Sequence, residues 1–221
     1  MSSESALIIS PHPDDLEIGM GGTAAKMTES GAQVASLVVT DGRRSTNVSG
    51  LSEDQVSELR KAEVRKATGF LGLDVLILLG LHDVAGDNLS VLKGEFAKVI
   101  KKVRPSEIYI PHPEIDKHPT HRAVSLAVME VMREMSQAGA EIPGSIWCYE
   151  VWTPFPSYDR IEDISKYIDV KSSAINAHKS QLEYKNYTEG ILGLNRYRAV
   201  FDERHGVTDG LYAEVFSELK I

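Results

Sequence analysis

Two short segments contain most of the side chains that could bind a metal or transfer a proton. The first reads PHPDDLE at positions 11–17, and the second reads PHPEIDKHPTH at positions 111–121. Together they hold four of the seven histidines of the chain. Imidazole and carboxylate groups are zinc ligands, and a catalytic zinc site has three protein ligands and one open position for water. The two segments therefore indicate a mononuclear metal site, with a further carboxylate available as a general base.

The adjacent carboxylates Asp14 and Asp15 have two possible tasks. One could bind the metal while the other accepts a proton from the attacking water, and spacing alone leaves the assignment open. A structural explanation is also open, because Asp after a strand is a common helix N-cap and His beside Pro is common in turns. Either segment alone fits both explanations, whereas two such segments in one predicted sheet favour a site.

Each of the two segments directly follows an apolar run, Ala6–Ile9 in one case and Glu107–Ile110 in the other. Short continuous apolar runs are typical of strands that are buried on both faces. In open parallel sheets, ligands bind beyond the carboxyl ends of the strands. If these two strands are neighbours, the segments that follow them meet in one crevice.

Apolar runs and helical patterns alternate along the chain. Strands are predicted at Ala6–Ile9, Val34–Val39, Asp74–Leu79, Glu107–Ile110, Ser145–Trp152 and Tyr212–Phe216. Helices are predicted at 17–29, from Ser52 onward with a Ser52/Gln55 capping box, and at 91–103, 120–137, 171–184 and 189–200. This alternation predicts a three-layer, Rossmann-like α/β fold with a mostly parallel, doubly wound sheet. We expect a single domain over residues 1–221.

Composition restricts the class of protein. The chain has 221 residues, a net charge of −8 and one cysteine, Cys148, which has no partner for an internal disulfide. The negative charge argues against a nucleic acid partner. No apolar run approaches the roughly 20 residues of a membrane span, and the first ten residues do not resemble a secretory signal. We therefore expect an acidic, cytoplasmic, globular protein with no membrane association.

A glycine-containing stretch at Gly19–Thr23 raises a second hypothesis, a non-catalytic module that binds a nucleotide or sugar phosphate. A dinucleotide-binding loop needs its glycines in the turn directly after the strand. Here that turn contains His12 and two carboxylates, which would repel a phosphate. The glycines fall inside the following helix pattern, where we expect them to permit close packing against the sheet.

The chain resembles the LmbE/PIG-L superfamily of zinc-dependent de-N-acetylases. HPDDLE at 12–17 is similar to the first signature of that family, and DKHPTH at 116–121 to the second. The extension at 18–23 is most similar to the N-acetylglucosaminyl-malate deacetylases of the bacillithiol pathway. Further similarity, in the order of the family, lies at TDG 40–42, ELR 58–60 with Glu63, LGLHD 79–83, AHKSQ 177–181 and YAEVF 212–216.

The resemblance assigns roles that spacing alone leaves open. It implies that His12, Asp15 and His121 bind Zn²⁺ or another divalent metal such as Fe²⁺. It implies that Asp14 is the general base on the metal-bound water and that His118 stabilises the oxyanion and assists the leaving amine.

It further implies that Arg60 and Asp83 bind the substrate, an acetamido sugar or sugar conjugate such as N-acetylglucosaminyl-malate. Relatives are often symmetric oligomers, so a homotrimer or homohexamer is expected.

Thr120 departs from the family pattern, which usually has Asp between the proline and the last histidine of the second signature. Asp116 could replace that Asp, or Thr120 could cap the following helix. The departure leaves open an LmbE-like amidase that acts on a different amide, and a relative that has lost activity. His112 is expected in a turn or at the rim of the site, and His178 either behind the site or in a structural role.

Overall fold

A computed structural model describes residues 5–45, 50–73, 75–84, 88–202 and 210–220. Its strands are β1 (Ser5–Ser10), β2 (Gln33–Thr40), β3 (Val75–Leu81), β4 (Glu107–Pro111), β5 (Ser145–Tyr149), β6 (Arg160–Asp163) and β7 (Ala213–Leu219). Its helices are α1 (Asp15–Glu29), α2 (Glu53–Phe70), α3 (Asn88–Val103), α4 (Pro119–Gln137), α5 (Ile168–Ile175), α6 (Lys179–Leu182) and α7 (Thr188–Phe201).

The seven strands form one sheet in the order β3-β2-β1-β4-β5-β7-β6. The pairs among β1 to β5 are all parallel, whereas β7 runs antiparallel to both β5 and β6. The predicted mostly parallel α/β fold is therefore confirmed. Strand β6 was not predicted, because its four residues, RIED, have no apolar run and no clear alternation.

Strand β1 is buried on both faces, as its apolar sequence predicts. Leu7 and Ile9 pack in a core that includes residues of α3 and α4, and Ala6 and Ile8 pack in a second core with residues of α1 and α2. Helices therefore cover both faces of the sheet. None of the helices in the described ranges is long and apolar enough to cross a membrane.

Three sequence predictions need correction. The strand expected over Ser145–Trp152 ends at Tyr149, where the buried carboxylate of Glu150 turns back to accept the backbone N–H of Phe155. The helix expected over 171–184 is two helices, because His178 has non-helical φ/ψ of −82° and 57° between α5 and α6. The third strand begins at Val75, and its predicted first residue, Asp74, lies outside the described residues.

The sheet order places the two histidine-containing segments together. From β1 the chain proceeds through β2 to β3 on one side and then returns to β4 on the other side of β1. Strands β1 and β4 pair in parallel with Leu7 opposite Ile108, so their carboxyl ends lie side by side. This is the point at which open α/β sheets form a ligand crevice. The two strands are neighbours, which is the condition for the two segments to meet in one crevice.

Candidate metal centre

Three histidines from the two segments converge at this crevice. Ring nitrogens of His12, His118 and His121 all lie within 4.8 Å of one another. Nδ1 of His12 is 3.0 Å from Nε2 of His121, and the His118 ring centroid is 4.7 Å from that of His12 and 4.6 Å from that of His121. His12 follows β1, whereas His118 directly precedes α4 and His121 lies in its first turn. The convergence therefore depends on the pairing of β1 with β4.

Asp15 adds a carboxylate to this cluster. Its Oδ2 lies 3.3 Å from Nδ1 of His12 and 3.3 Å from Nε2 of His121, and it also accepts the backbone N–H of His12 at 2.7 Å. Its Oδ1 is buried and has no hydrogen-bond partner among the described residues. The side chain is thus fixed through one oxygen, while the other lacks a partner.

These atoms fit a tetrahedral divalent metal. Ligands about 2.0–2.1 Å from a tetrahedral zinc ion are about 3.3 Å from one another. The nitrogen of His12, the nitrogen of His121 and the oxygen of Asp15 form a triangle with sides of 3.0, 3.3 and 3.3 Å. His118 is an alternative third ligand, since its Nδ1 is buried without a partner in the described part of the chain. The two possible ligand sets share His12 and His121.

The pKa values of the cluster follow from its mutual contacts. Burial alone would raise the pKa of Asp15, but the charge of His121 and the hydrogen bonds with His12 and His121 hold it well below its ordinary value. Burial alone would lower the pKa of His121, but Asp15 and Asp116 outweigh burial and raise it to about 10. Burial lowers the pKa of His118, and the charges of His12 and His121 lower it further.

Asp116 holds the second segment in place. Its Oδ2 lies 3.0 Å from Nδ1 of His121, and its Oδ1 accepts the backbone N–H of His118 at 2.8 Å. Asp116 therefore orients the His121 ring and the His118 backbone. The buried Nδ1 of the His118 ring has no hydrogen-bond partner among the described residues. Thr120 does not cap α4, because the N-cap position is His118 and Thr120 lies inside the first turn.

Asp14 occupies the N-cap position of α1, but its side chain makes no capping hydrogen bond. Instead, its Oδ2 accepts a hydrogen bond from the hydroxyl of Tyr187 at 3.1 Å and lies 3.2 Å from Nη2 of Arg60. The helix-cap explanation of this carboxylate is therefore wrong. Asp14 instead lines the crevice, next in sequence to Asp15.

Arg60 and Asp83, the two residues expected to bind substrate, have protein partners. Arg60 is 2% exposed, and its guanidinium contacts Asp14, the carbonyl of Pro13 and the carboxylate of Glu63. Asp83 forms an ion pair with Arg44. Both residues line the crevice, so their binding of substrate remains a prediction.

The crevice has a volume of about 350 Å³. Its lining residues are His12, Asp14, Asp15, Thr40, Gly42, Arg43, Arg44, Ser45, Arg60, His82, Asp83, His118, Thr120, Trp152 and Gln181. Trp152 is 47% exposed and therefore offers an aromatic surface to a ligand. This volume is at the lower end of the range typical of small-molecule sites.

Sequence reasoning missed two contacts of this site. It did not connect Tyr187 with Asp14, which is 173 positions away. It also placed Trp152 at the end of a strand, not in the crevice. A local pattern could not have revealed either contact, because both depend on how the region after β5 folds back over the sheet.

Two further histidines, His112 and His178, have structural surroundings. His112 lies in a turn, where its Nδ1 accepts the backbone N–H groups of Glu114 and Ile115 at 3.1 Å each. His178 is fully buried, with its Nε2 3.6 Å from Oε2 of Glu17. The glycines of the 19–23 stretch lie inside α1, and a Cβ at Gly19 would be 2.3 Å from the Tyr149 ring. Close packing, not phosphate binding, accounts for that glycine.

Comparison with known proteins gives one family. The model of the PIG-L family, described as GlcNAc-PI de-N-acetylase, matches residues 7–132 and so includes both histidine segments.

Individual relatives agree. The chain is 32% identical to a diacetylchitobiose deacetylase of Thermococcus kodakarensis over 189 residues, which cover 80% of this chain and 70% of that protein. It is 28% identical to a probable N-acetyl-alpha-D-glucosaminyl L-malate deacetylase 2 of Bacillus cereus, with 80% and 83% coverage. Among solved structures, the N,N'-diacetylchitobiose deacetylase of Pyrococcus horikoshii superposes with a TM-score of 0.83 at 22% identity, covering 99% of this chain and 84% of that one.

Proposed function

The chain belongs to the PIG-L/LmbE family of deacetylases, and from that premise we propose that it is a metal-dependent hydrolase that removes the acetyl group from an N-acetylglucosamine-type substrate. One observation carries the proposal. The ligand atoms of His12, His121 and Asp15 lie 3.0–3.3 Å apart at the end of the crevice-forming strands. Asp14, a second carboxylate, lines the same crevice.

His12, Asp15 and His121 are the proposed metal ligands, and zinc or iron(II) suits this combination of nitrogen and oxygen donors. When bound, such an ion lowers the pKa of a coordinated water molecule from ~15.7 towards ~7 and polarises a carbonyl oxygen. Asp116 supports the site by holding Nδ1 of His121, which leaves Nε2 of that ring for the metal.

Asp14 is the proposed general base. Its Oδ2 is engaged by Tyr187 and Arg60, whereas no residue in the described ranges is hydrogen-bonded to Oδ1. We therefore propose that Oδ1 accepts the proton of the attacking water.

His118 is the proposed acid and oxyanion partner. The pKa of its imidazole is lowered by burial and by the neighbouring imidazoles, so a proton that it carries is readily given up. Its ring lies beside those of His12 and His121, where the carbonyl oxygen of the amide would develop negative charge. Donation of this proton to the amide nitrogen lets the C–N bond break and the amine leave.

The crevice fits a substrate with a polar group beside the acetamido sugar. Arg43, Arg44, Asp83 and Trp152 all line it, so charged groups for hydroxyl or carboxylate groups and an aromatic ring for a sugar face are present. N-acetylglucosaminyl-malate and N,N'-diacetylchitobiose, the substrates named for relatives, are the two that we would test first. A cytoplasmic location and a homo-oligomeric assembly remain predictions that fractionation and light scattering can test.

The proposal is tested by acetate release from both substrates, with free N-acetylglucosamine alongside. Protein stripped with a chelator and then reloaded with Zn²⁺ or Fe²⁺ is compared with the stripped protein. We expect release that depends on the metal and disappears in His12→Ala. A protein that binds one metal ion but releases no acetate from any of these acetamido sugars would overturn the proposed substrate class. Affinity for phosphate ligands that is independent of metal and of His12 would support the alternative of a binding module.

A further inference from the structure

Tyr187 lies at the N-cap position of α7, far from the catalytic segments in sequence but in contact with one of them. Its hydroxyl donates a hydrogen bond to Oδ2 of Asp14 at 3.1 Å. A carboxylate only accepts hydrogen bonds, and a tyrosine hydroxyl can donate one. Burial, with the charge of Asp14 adding to it, raises the pKa of Tyr187, so the hydroxyl keeps its proton.

Tyr187 shares Oδ2 of Asp14 with a second donor. Nη2 of Arg60 lies 3.2 Å from the same oxygen. Arg60 lies on α2 and forms an ion pair with Glu63, one turn further along the same helix. The carboxylate of Glu63 in turn accepts hydrogen bonds from the backbone N–H and the hydroxyl of Ser180, at 2.7 Å each. The two donors therefore approach one carboxylate oxygen from two different helices.

Convergence on one oxygen fixes how the carboxylate is turned. A carboxylate with a single partner can still turn about χ1 and χ2 while it keeps that contact, whereas two donors on one oxygen from two directions restrict both torsions. In that orientation Oδ1 has no hydrogen-bonded neighbour among the residues that the structure describes, while Asp14 lines the crevice. Tyr187 is itself supported, because its ring meets Trp152 edge to face with centroids 5.7 Å apart.

We propose that Tyr187 is a positioning residue for the deacetylation, which orients Asp14 so that Oδ1 accepts the proton of the attacking water. The inference rests on the proposed function, since it assumes that Asp14 is the base. Tyr187 does not line the crevice, so it acts through Asp14 and not on the substrate.

The test uses Tyr187→Phe in the metal-loaded protein, because Phe keeps the ring packed against Trp152 and removes only the hydroxyl. We expect kcat to fall roughly 10–100-fold, as expected for misplacement of a catalytic group, with KM unchanged within about twofold. The matched control is Tyr197→Phe, which alters a 54% exposed tyrosine on the same helix α7 and is expected to keep wild-type kcat. An unchanged kcat, or a lower kcat together with a higher KM and a lower Tm, would contradict the inference.

A second measurement does not depend on activity. Crystal structures of the wild type and Tyr187→Phe should show Asp14 in one orientation in the wild type and in a rotated or mixed orientation in the variant. Identical Asp14 orientations in the two crystals would overturn the inference, whether or not kcat changes. If the wild type releases no acetate, the proposed function fails, and the crystal comparison still decides whether Tyr187 orients Asp14.

Discussion

Asp116 Oδ2 lies 3.0 Å from Nδ1 of His121, and both side chains are buried. The carboxylate thereby directs Nε2 of His121 towards His12 and Asp15, the other proposed ligands. Carboxylate–histidine–metal arrangements of this kind fix the orientation of the ring and raise its basicity.

Asp116→Asn should weaken metal binding. Loss of such a partner typically reduces metal affinity about 10–100-fold, because the ring loses its fixed orientation. Competition with a chromophoric chelator measures the affinity. Asp83→Asn is the matched control, since Asp83 lines the crevice but pairs with Arg44 and is not in the three-histidine cluster. Equal affinity of the Asp116 variant and wild type would contradict the assignment of Asp116.

The third metal ligand can be identified by comparing Asp15→Asn with His118→Ala. If Asp15 is the ligand, the first variant loses the metal, whereas the second keeps one ion per chain and loses most of its turnover. Oδ2 of Asp15 is equidistant from the two shared ligand nitrogens, at 3.3 Å, which favours this result. The metal content of the two variants, measured by elemental analysis, decides between the two possible ligand sets. Retention of metal in Asp15→Asn with loss in His118→Ala would assign the site to the three histidines.

Chelator-treated protein should lose stability as the pH rises above neutrality. The pKa of His121 is raised from 6.5 to about 10, so its stabilising contribution is complete below pH 6.5 and is lost as the pH rises through about 10. Tm values between pH 6 and 10 measure the effect, and His121→Gln is the control because it lacks the titrating ring. The wild type should show the steeper decline. Parallel curves for the two proteins would show that His121 does not gain a proton on folding.

The buried pair of Lys171 and Glu214 should contribute strongly to stability. Nζ of Lys171 lies 2.6 Å from Oε1 of Glu214, both side chains are fully buried, and the same carboxylate accepts the backbone N–H groups of Gly22 and Thr23. Glu214→Gln leaves a buried cation without its counter-charge.

Breaking such a pair typically costs about 3–5 kcal/mol. Urea unfolding measures this loss, and Glu134→Gln, which breaks an exposed pair with Lys93, should cost no more than about 1 kcal/mol. Similar losses in both variants would contradict the prediction.

The sequence predicted the parts of the fold that local patterns determine. Continuous apolar runs predict β1 and β4, and the rule on strand ends predicts that the segments containing His12 and His121 meet in one crevice once these strands pair. The capping box of Ser52 and Gln55 correctly placed the start of α2. In each case, a few neighbouring residues carry the whole signal.

The remaining features depend on contacts between distant parts of the chain. The antiparallel direction of β7 depends on how the chain after β5 returns to the sheet, and no local pattern encodes it. The partner of Asp14 is likewise distant, since the contact with Tyr187 depends on the packing of α5 against α1 and α2 and of α6 against α2. Charged side chains in RIED at 160–163 gave no strand signal, although β6 completes the edge of the sheet.

In the proposed hydrolysis of an acetamide, Asp14 acts as the base beside a metal held by His12, Asp15 and His121. The most direct test is Asp14→Asn, with metal content and acetate release measured on the same preparation. We predict a full complement of one metal ion and a loss of turnover of roughly 10²–10⁴-fold, as expected when a general base is removed. Wild-type turnover by metal-loaded Asp14→Asn would contradict the claim.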